Sequence, residues 1–270
     1  QEILEWREKQ NDKQEKIVEN FTNSRPYNFT DNELVFYKCS QVPKIYSSEN
    51  DCQVYVSKYE DYLSICFRGT ESFSDILMDL QMSKTQFPLI NRVEQTWPYV
   101  HTGFYKQFEA VRNELDREIE NYHDEVNEDT KIIFSGHSLG GALATLSSLY
   151  YAVKYPKIEV NCVTFGSPRV GCDDFASLFN KKITNSYRYV NDNDPVPCVP
   201  TSIRFRHVNG LRWLNQDKVE NSIGVWRFYR FLKNTLFSLF GLGYNALEDH
   251  SCDGYIRDLS IMVKNERDEL

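Results

Sequence analysis

The chain has 270 residues, 41% of them hydrophobic, 14% aromatic and 26% charged, which excludes disorder, collagen-like repeats and coiled coils and suits a sizeable core. Its 39 acidic residues against 31 basic ones leave a net charge of −8, a surface that repels phosphate backbones and excludes general nucleic-acid binding. No run of about 18 or more uncharged apolar residues occurs, so no segment reads as a membrane span.

Residues 1–20 are charged, with Ile3, Leu4, Trp6, Ile17 and Val18 sparsely apolar, and predict a surface helix. Val54–Ser57 and Tyr62–Phe67 are β-rich and flank Tyr59-Glu60-Asp61, the pattern of a hairpin. Phe73, Ile76, Leu77 and Leu80 then recur at i, i+3, i+4 and i+7, opposite Asp75 and Asp79. This amphipathic helix is either an ordinary surface helix packed on the core or a lid over a site, and Met78 and Met82 suit a deformable apolar surface. Phe104, Phe108, Val111, Leu115 and Ile119 predict a second helix by the same spacing. Next come a strand at Lys131–Ser135, a helix at Leu139–Lys154, a strand at Ile158–Phe165, a short helix at Phe175–Asn180 and a strand at Ser186–Val190. The strands read as apolar throughout, as when helices cover both sheet faces, and the alternation predicts a mainly parallel α/β sheet. Residues 225–242 combine Trp226, Phe228, Tyr229, Phe231, Phe237 and Phe240 with Arg227, Arg230 and Lys233 on one face. That stretch either lies in a lipid interface, aromatics down and bases at the headgroups, or packs as a core helix with solvated bases. No repeat or linker divides the chain, so 1–270 reads as one domain.

Seven cysteines occur without a CxxC or zinc-type spacing, so no structural metal is indicated and no cofactor is implied. Cys66 and Cys162 read as small buried hydrophobes, and the other five leave up to two bridges open. The sequons at Asn20 and Asn28 do not discriminate, being about as frequent as chance gives. A start at Gln1 implies removed upstream sequence. The end Arg267-Asp268-Glu269-Leu270 reads either as a solvated acidic tail or as a relative of the KDEL and HDEL retrieval signals. The second reading places the protein in the secretory pathway or endoplasmic reticulum lumen, the first in the cytoplasm.

Gly136-His137-Ser138-Leu139-Gly140 satisfies GxSxG between a predicted strand and a predicted helix, the context of a nucleophile elbow. Ser138 is the expected nucleophile. It needs a base and an orienting carboxylate, which follow in the order Ser, Asp, His in this architecture. Asp192 and Asp194 both stand at the carboxyl end of the Ser186–Val190 strand. Of the five histidines, His137 adjoins the serine and points away from the site, and His123 and His101 read as solvated and bracing. His207 lies on an apparent strand, while His250, last in chain order, is the expected base, with His207 as alternative. The backbone N–H of Leu139 supplies one oxyanion donor, and Thr70, after Phe67-Arg68-Gly69, supplies the other.

Phe67-Arg68-Gly69-Thr70, His101-Thr102-Gly103-Phe104, Gly136–Ala142, Thr164-Phe165-Gly166-Ser167-Pro168-Arg169-Val170-Gly171 and Asp194-Pro195-Val196-Pro197 resemble, in order, the fungal-type class 3 lipases. The resemblance implies an α/β-hydrolase fold with a lid after the oxyanion residue, and carboxylic-ester hydrolysis on lipid. It matches Asp194, rather than Asp192, to the triad acid. The cysteine pattern of the extracellular fungal enzymes is not reproduced, and the N-terminal helix and residues 215–248 lie outside the resemblance.

The reaction expected is hydrolysis of acylglycerol esters through Ser138, Asp194 and His250, with Phe73, Ile76, Leu77 and Leu80 contacting substrate. The expected partners are a lipid ester and, through 225–242, a membrane or lipid-droplet surface. A phospholipase A1 or feruloyl-type esterase uses the same residues and is the first rival. A non-catalytic lipase-like binding protein is the second, though such proteins usually lack a triad member.

Overall fold

The computed structural model describes residues 44–47, 52–59, 61–69, 83–89, 97–126, 131–191, 194–200, 203–215, 218–220 and 246–268. The N-terminal helix expected at 1–20, Thr70, the amphipathic segment with Phe73, Ile76, Leu77 and Leu80, Asp192 and the stretch 225–242 lie outside the described residues.

Strands β1 (Lys44–Ser47), β2 (Gln53–Lys58) and β3 (Leu63–Phe67) form an antiparallel start. The Tyr59 N–H donates to the Tyr62 carbonyl at 2.9 Å across the β2–β3 turn, and the two rings stack at 4.5 Å. A small pair, β4 (Lys84–Gln86) and β5 (Tyr99–His101), leads into helix α1 (Thr102–Val126). Then follow β6 (Lys131–His137), α2 (Leu139–Lys154), β7 (Glu159–Phe165), α3 (Asp173–Lys182), β8 (Ser186–Asn191), β9 (Leu211–Asn215), β10 (Lys218–Glu220), α4 (Ala246–His250) and α5 (Cys252–Asp268). The large sheet runs β1-β2-β3-β6-β7-β8-β9-β10 and is parallel from β3 through β9. This is the mainly parallel, helix-flanked sheet of the α/β-hydrolase fold.

Helix α2 is buried from Leu139 to Val153, all the way round, because it is sandwiched between the sheet and α1. Tyr151 stacks on Phe134 of β6 at 5.6 Å and donates its hydroxyl to Asp116 of α1 at 3.0 Å, so the buried oxygen is satisfied. Helix α1 turns Phe104, Phe108, Val111, Leu115 and Ile119 inward, as their spacing predicts, and Phe87 meets Phe108 edge-on at 5.9 Å.

The strands differ from expectation in one respect. In β3, β6 and β7 fully buried residues alternate with half-buried ones. Ile132 and Phe134 of β6 face the α1–α2 layer. His137 of β6 and Phe165 of β7 face Tyr255 of α5 on the other side. Period-2 alternation survives because the two faces are covered to different depths. Cys162 is buried as expected, whereas Cys66 is only half-buried on the shallower face; Cys66, Cys162, Cys172, Cys198 and Cys252 are free thiols. Among the described residues no helix is long and apolar enough to cross a membrane.

Candidate active site

The carboxyl ends of β6, β7 and β8 lie side by side, and three short segments leave them toward one point: Ser138 after β6, Gly166 after β7 and Asp194 after β8. Ser138 joins β6 directly to α2 at φ 57° and ψ −125°, the one non-glycine residue with positive φ among those described. Such a backbone costs a side-chain-bearing residue of order 1–3 kcal/mol and persists only where the surroundings enforce it. They do so here. The Ser138 N–H donates to Phe165 of β7 at 2.9 Å, and its carbonyl accepts from Gly141 and Ala142 of α2 at 3.0 and 3.3 Å. The turn is also pressed against β3, since a Cβ on Gly140 would lie 2.2 Å from the Phe67 carbonyl oxygen. Only glycine permits that approach.

His250 ends the five-residue helix α4. Its Nε2 is 2.9 Å from Ser138 Oγ, and its Nδ1 is 2.9 and 3.0 Å from the two carboxylate oxygens of Asp194. The donor and acceptor roles follow from the partners: Nδ1–H donates to the carboxylate, leaving Nε2 to accept the Ser138 hydroxyl. Asp194 Oδ1 also accepts the Val196 N–H at 2.9 Å, and Oδ2 accepts the Tyr255 hydroxyl at 2.6 Å. Ser138 and Asp194 are fully buried and His250 nearly so. The structure thus brings Ser138, Asp194 and His250 into one hydrogen-bonded line, with the backbone N–H of Leu139 beside Ser138 at the start of α2.

The alternative base does not join them. His207 stands outside any strand, beside the single bridge between Arg206 and Gly171, which corrects its expected placement. Its Nε2–H donates to the Pro197 carbonyl at 2.7 Å, and burial, then Arg188 and Arg169, push its pKa well below the usual histidine range. His101 packs against Phe104 and Phe205 at 4.4 and 5.8 Å, and His123 lies 6.2 Å from Tyr155.

Three further contributors are defined by contacts that only the fold shows, and of these Tyr255 carries no sequence signal. Tyr255, five residues beyond His250, donates to Asp194 and accepts the Asn191 N–H at 2.9 Å. Gly166 has φ +59°, and a Cβ there would lie 2.6 Å from Asp194 Oδ2 and 3.1 Å from the His250 ring. Arg169 donates to the carbonyls of Cys198 and, at 2.7 Å, Pro200, while its own N–H donates to Val199 at 2.8 Å. With His207 on Pro197, these bonds clamp the loop that carries Asp194. The motif Thr164–Gly171 marks Gly166 and Arg169 as a resemblance, but only folding shows what they touch. Among the described residues no group of three or more His, Cys, Asp or Glu is placed to hold a metal ion.

The model of the family "Lipase (class 3)" matches residues 64–203, just over half of the chain. A secreted mono- and diacylglycerol lipase of Fusarium solani is 34% identical over 127 residues, 47% of this chain and 37% of that protein. A chloroplastic phospholipase A(1) of Arabidopsis thaliana is 31% identical over 151 residues, 50% of this chain and 33% of that protein. The chain therefore spans about a third of the length of either curated relative. Among solved structures, the triacylglyceride lipase of Rhizomucor miehei superposes with a TM-score of 0.57 at 28% identity, over 63% of this chain and 65% of that one.

Proposed function

Because the chain belongs to the class 3 lipase family, we propose that it hydrolyses acylglycerol esters by acyl transfer through Ser138 to water. The observation that carries the reading is the unbroken line from Ser138 Oγ through the His250 ring to the Asp194 carboxylate, at 2.9 Å on each side of the ring. Each member has the chemistry its place demands. Ser138 Oγ attacks the ester carbonyl while His250 Nε2 takes its proton. Asp194 holds the Nδ1–H tautomer and balances the imidazolium that forms. Charge developing on the carbonyl oxygen is received by the Leu139 N–H, and in this proposal by Thr70. One such donor accounts for about 2.7–4 kcal/mol of barrier. His250 then gives its proton to the departing alcohol, and a second cycle with water as nucleophile frees the acid. Phe73, Ile76, Leu77 and Leu80 belong to the proposal as substrate contacts, and residues 225–242 as the lipid-facing segment.

Rates on mono-, di- and triacylglycerol, beside Ser138→Ala, test it. Hydrolysis by the parent chain with loss of at least about a thousandfold in the variant is expected. An unimpaired Ser138→Ala protein would overturn it. A second reading, phospholipase A1 action, rests on the similarity to the Arabidopsis phospholipase and is decided by adding a diacyl phospholipid to the panel. The Fusarium relative's description as secreted supports a secretory route for this chain as well.

A further inference from the structure

We infer that His137 is a positioning residue for the proposed base, joining the nucleophile's own strand to the His250 backbone through a hydrogen bond from its Nε2–H to the His250 carbonyl. The inference rests on the reading of Ser138 and His250 as nucleophile and base. Nε2 and the carbonyl oxygen are 2.5 Å apart. A carbonyl can only accept, so the proton is on Nε2 and the neutral ring leaves Nδ1 bare. That bare edge turns toward Gly69, where a Cβ would lie 3.3 Å from Nδ1. Against the expectation that it points away from the site, the ring faces that of His250 at 4.6 Å and 35°, and meets Tyr255 edge-on at 5.8 Å.

His250 needs such a support. It ends a helix of five residues, too short to be rigid alone, and its carbonyl accepts from the His137 ring. His137 is the last residue of β6, in the middle of the sheet, and its peptide bond leads directly to Ser138. The contacts close a small ring: Ser138, the peptide to His137, the bond to the His250 carbonyl, the His250 side chain, and back to Ser138 Oγ at 2.9 Å. The distance for proton transfer is therefore set by the central strand.

The ring must also stay neutral, because a cation 4.6 Å from His250 would oppose the imidazolium formed in the reaction. Burial, and then the neighbouring His250, push the His137 pKa down to about 4. Among the described residues the titratable groups facing it are His250 from α4, Tyr255 from α5 and Asp194 from the loop after β8.

The test uses the parent chain, His137→Gln, which keeps an N–H at the ε position, and His137→Leu, which does not. On a soluble short-chain ester, His137→Leu is expected to lose kcat about ten- to a hundredfold, the rate equivalent of one buried hydrogen bond lost, with KM within twofold. His137→Gln is expected to recover most of that loss. Equal impairment of both variants, or a kcat in His137→Leu within twofold of the parent, would overturn the inference. Nitrogen-15 spectra of the histidines in the parent chain decide it should His137→Leu not fold: a neutral Nε2–H form of His137 at pH 7 is expected, and an Nδ1–H form or a cation overturns it. A parent chain inert toward esters sinks the hydrolase reading itself, whereas an active parent with unaffected variants sinks only the role of His137.

Discussion

Tyr255 holds the far side of Asp194: its hydroxyl donates to Oδ2 at 2.6 Å, opposite the oxygen that accepts the Val196 N–H at 2.9 Å. The same hydroxyl accepts the Asn191 N–H, so one phenol links α5 to the end of β8. Burial, then the Asp194 charge, raise the Tyr255 pKa far above its usual value, so the hydroxyl remains a donor throughout the working range. Tyr255→Phe removes a hydrogen bond to a charged group, worth about 1.5–3 kcal/mol. A fall in kcat of about tenfold or more with little change in KM is expected. A variant matching the parent in both would show that Val196 and His250 hold the carboxylate unaided.

Gly166 fills the narrow gap between Asp194 and His250, at a φ of +59° that disfavours any other residue. In Gly166→Ala the new methyl meets Asp194 Oδ2 at 2.6 Å and must displace it. Misplacement of a reacting group by about 1 Å costs on the order of a hundredfold in rate. Labelling of Ser138 by a fluorophosphonate should slow by at least that factor while the protein remains folded by circular dichroism. An unchanged labelling rate would contradict the packing described.

His137 and His207 are both buried, with pKa values pushed down, to about 4 for His137 and well below the usual range for His207. In the unfolded chain both titrate near 6.5. Between those values the unfolded state binds more protons, so stability is full above about pH 7 and declines as pH falls toward 4. His137 alone contributes up to about 3 kcal/mol across that window. Urea unfolding from pH 8 to 4.5 should show the decline, and His207→Gln should flatten it. A parent profile that rises on acidification would contradict the sign.

Ser138 is fully buried, so in the proposed reaction an ester reaches it only after a rearrangement. Loop motions of that kind run in microseconds to milliseconds and respond to what they contact. A fluorophosphonate with a long alkyl chain should therefore label Ser138 faster above the concentration at which lipid or detergent aggregates form. A rate indifferent to aggregates would mean that the hydroxyl is reached without them.

The amino-acid sequence alone determines the pieces that rest on local pattern. The 3.6-residue spacing from Phe104 to Ile119 determines α1, and the apolar runs give the order of strands and helices. The glycines around Ser138 dictate a strand–turn–helix that no larger residue permits, because backbone meets backbone there. The order Ser138, Asp194, His250 is also legible along the chain. What could not be read there depends on residues far apart in sequence. On paper His250 is the expected base with His207 as the alternative, and 112 positions separate His250 from the hydroxyl it meets. The parallel register of β6, β7 and β8 sets three carboxyl ends together, and only the packed chain puts the His250 ring beside Ser138 and Asp194 while the His207 ring bonds the Pro197 carbonyl. Tyr255, Gly166 and the inward turn of His137 belong to the same class. Each is decided by where helices α4 and α5 cross the shallower sheet face, because a hydrogen bond between distant segments exists only once packing has brought donor and acceptor within reach.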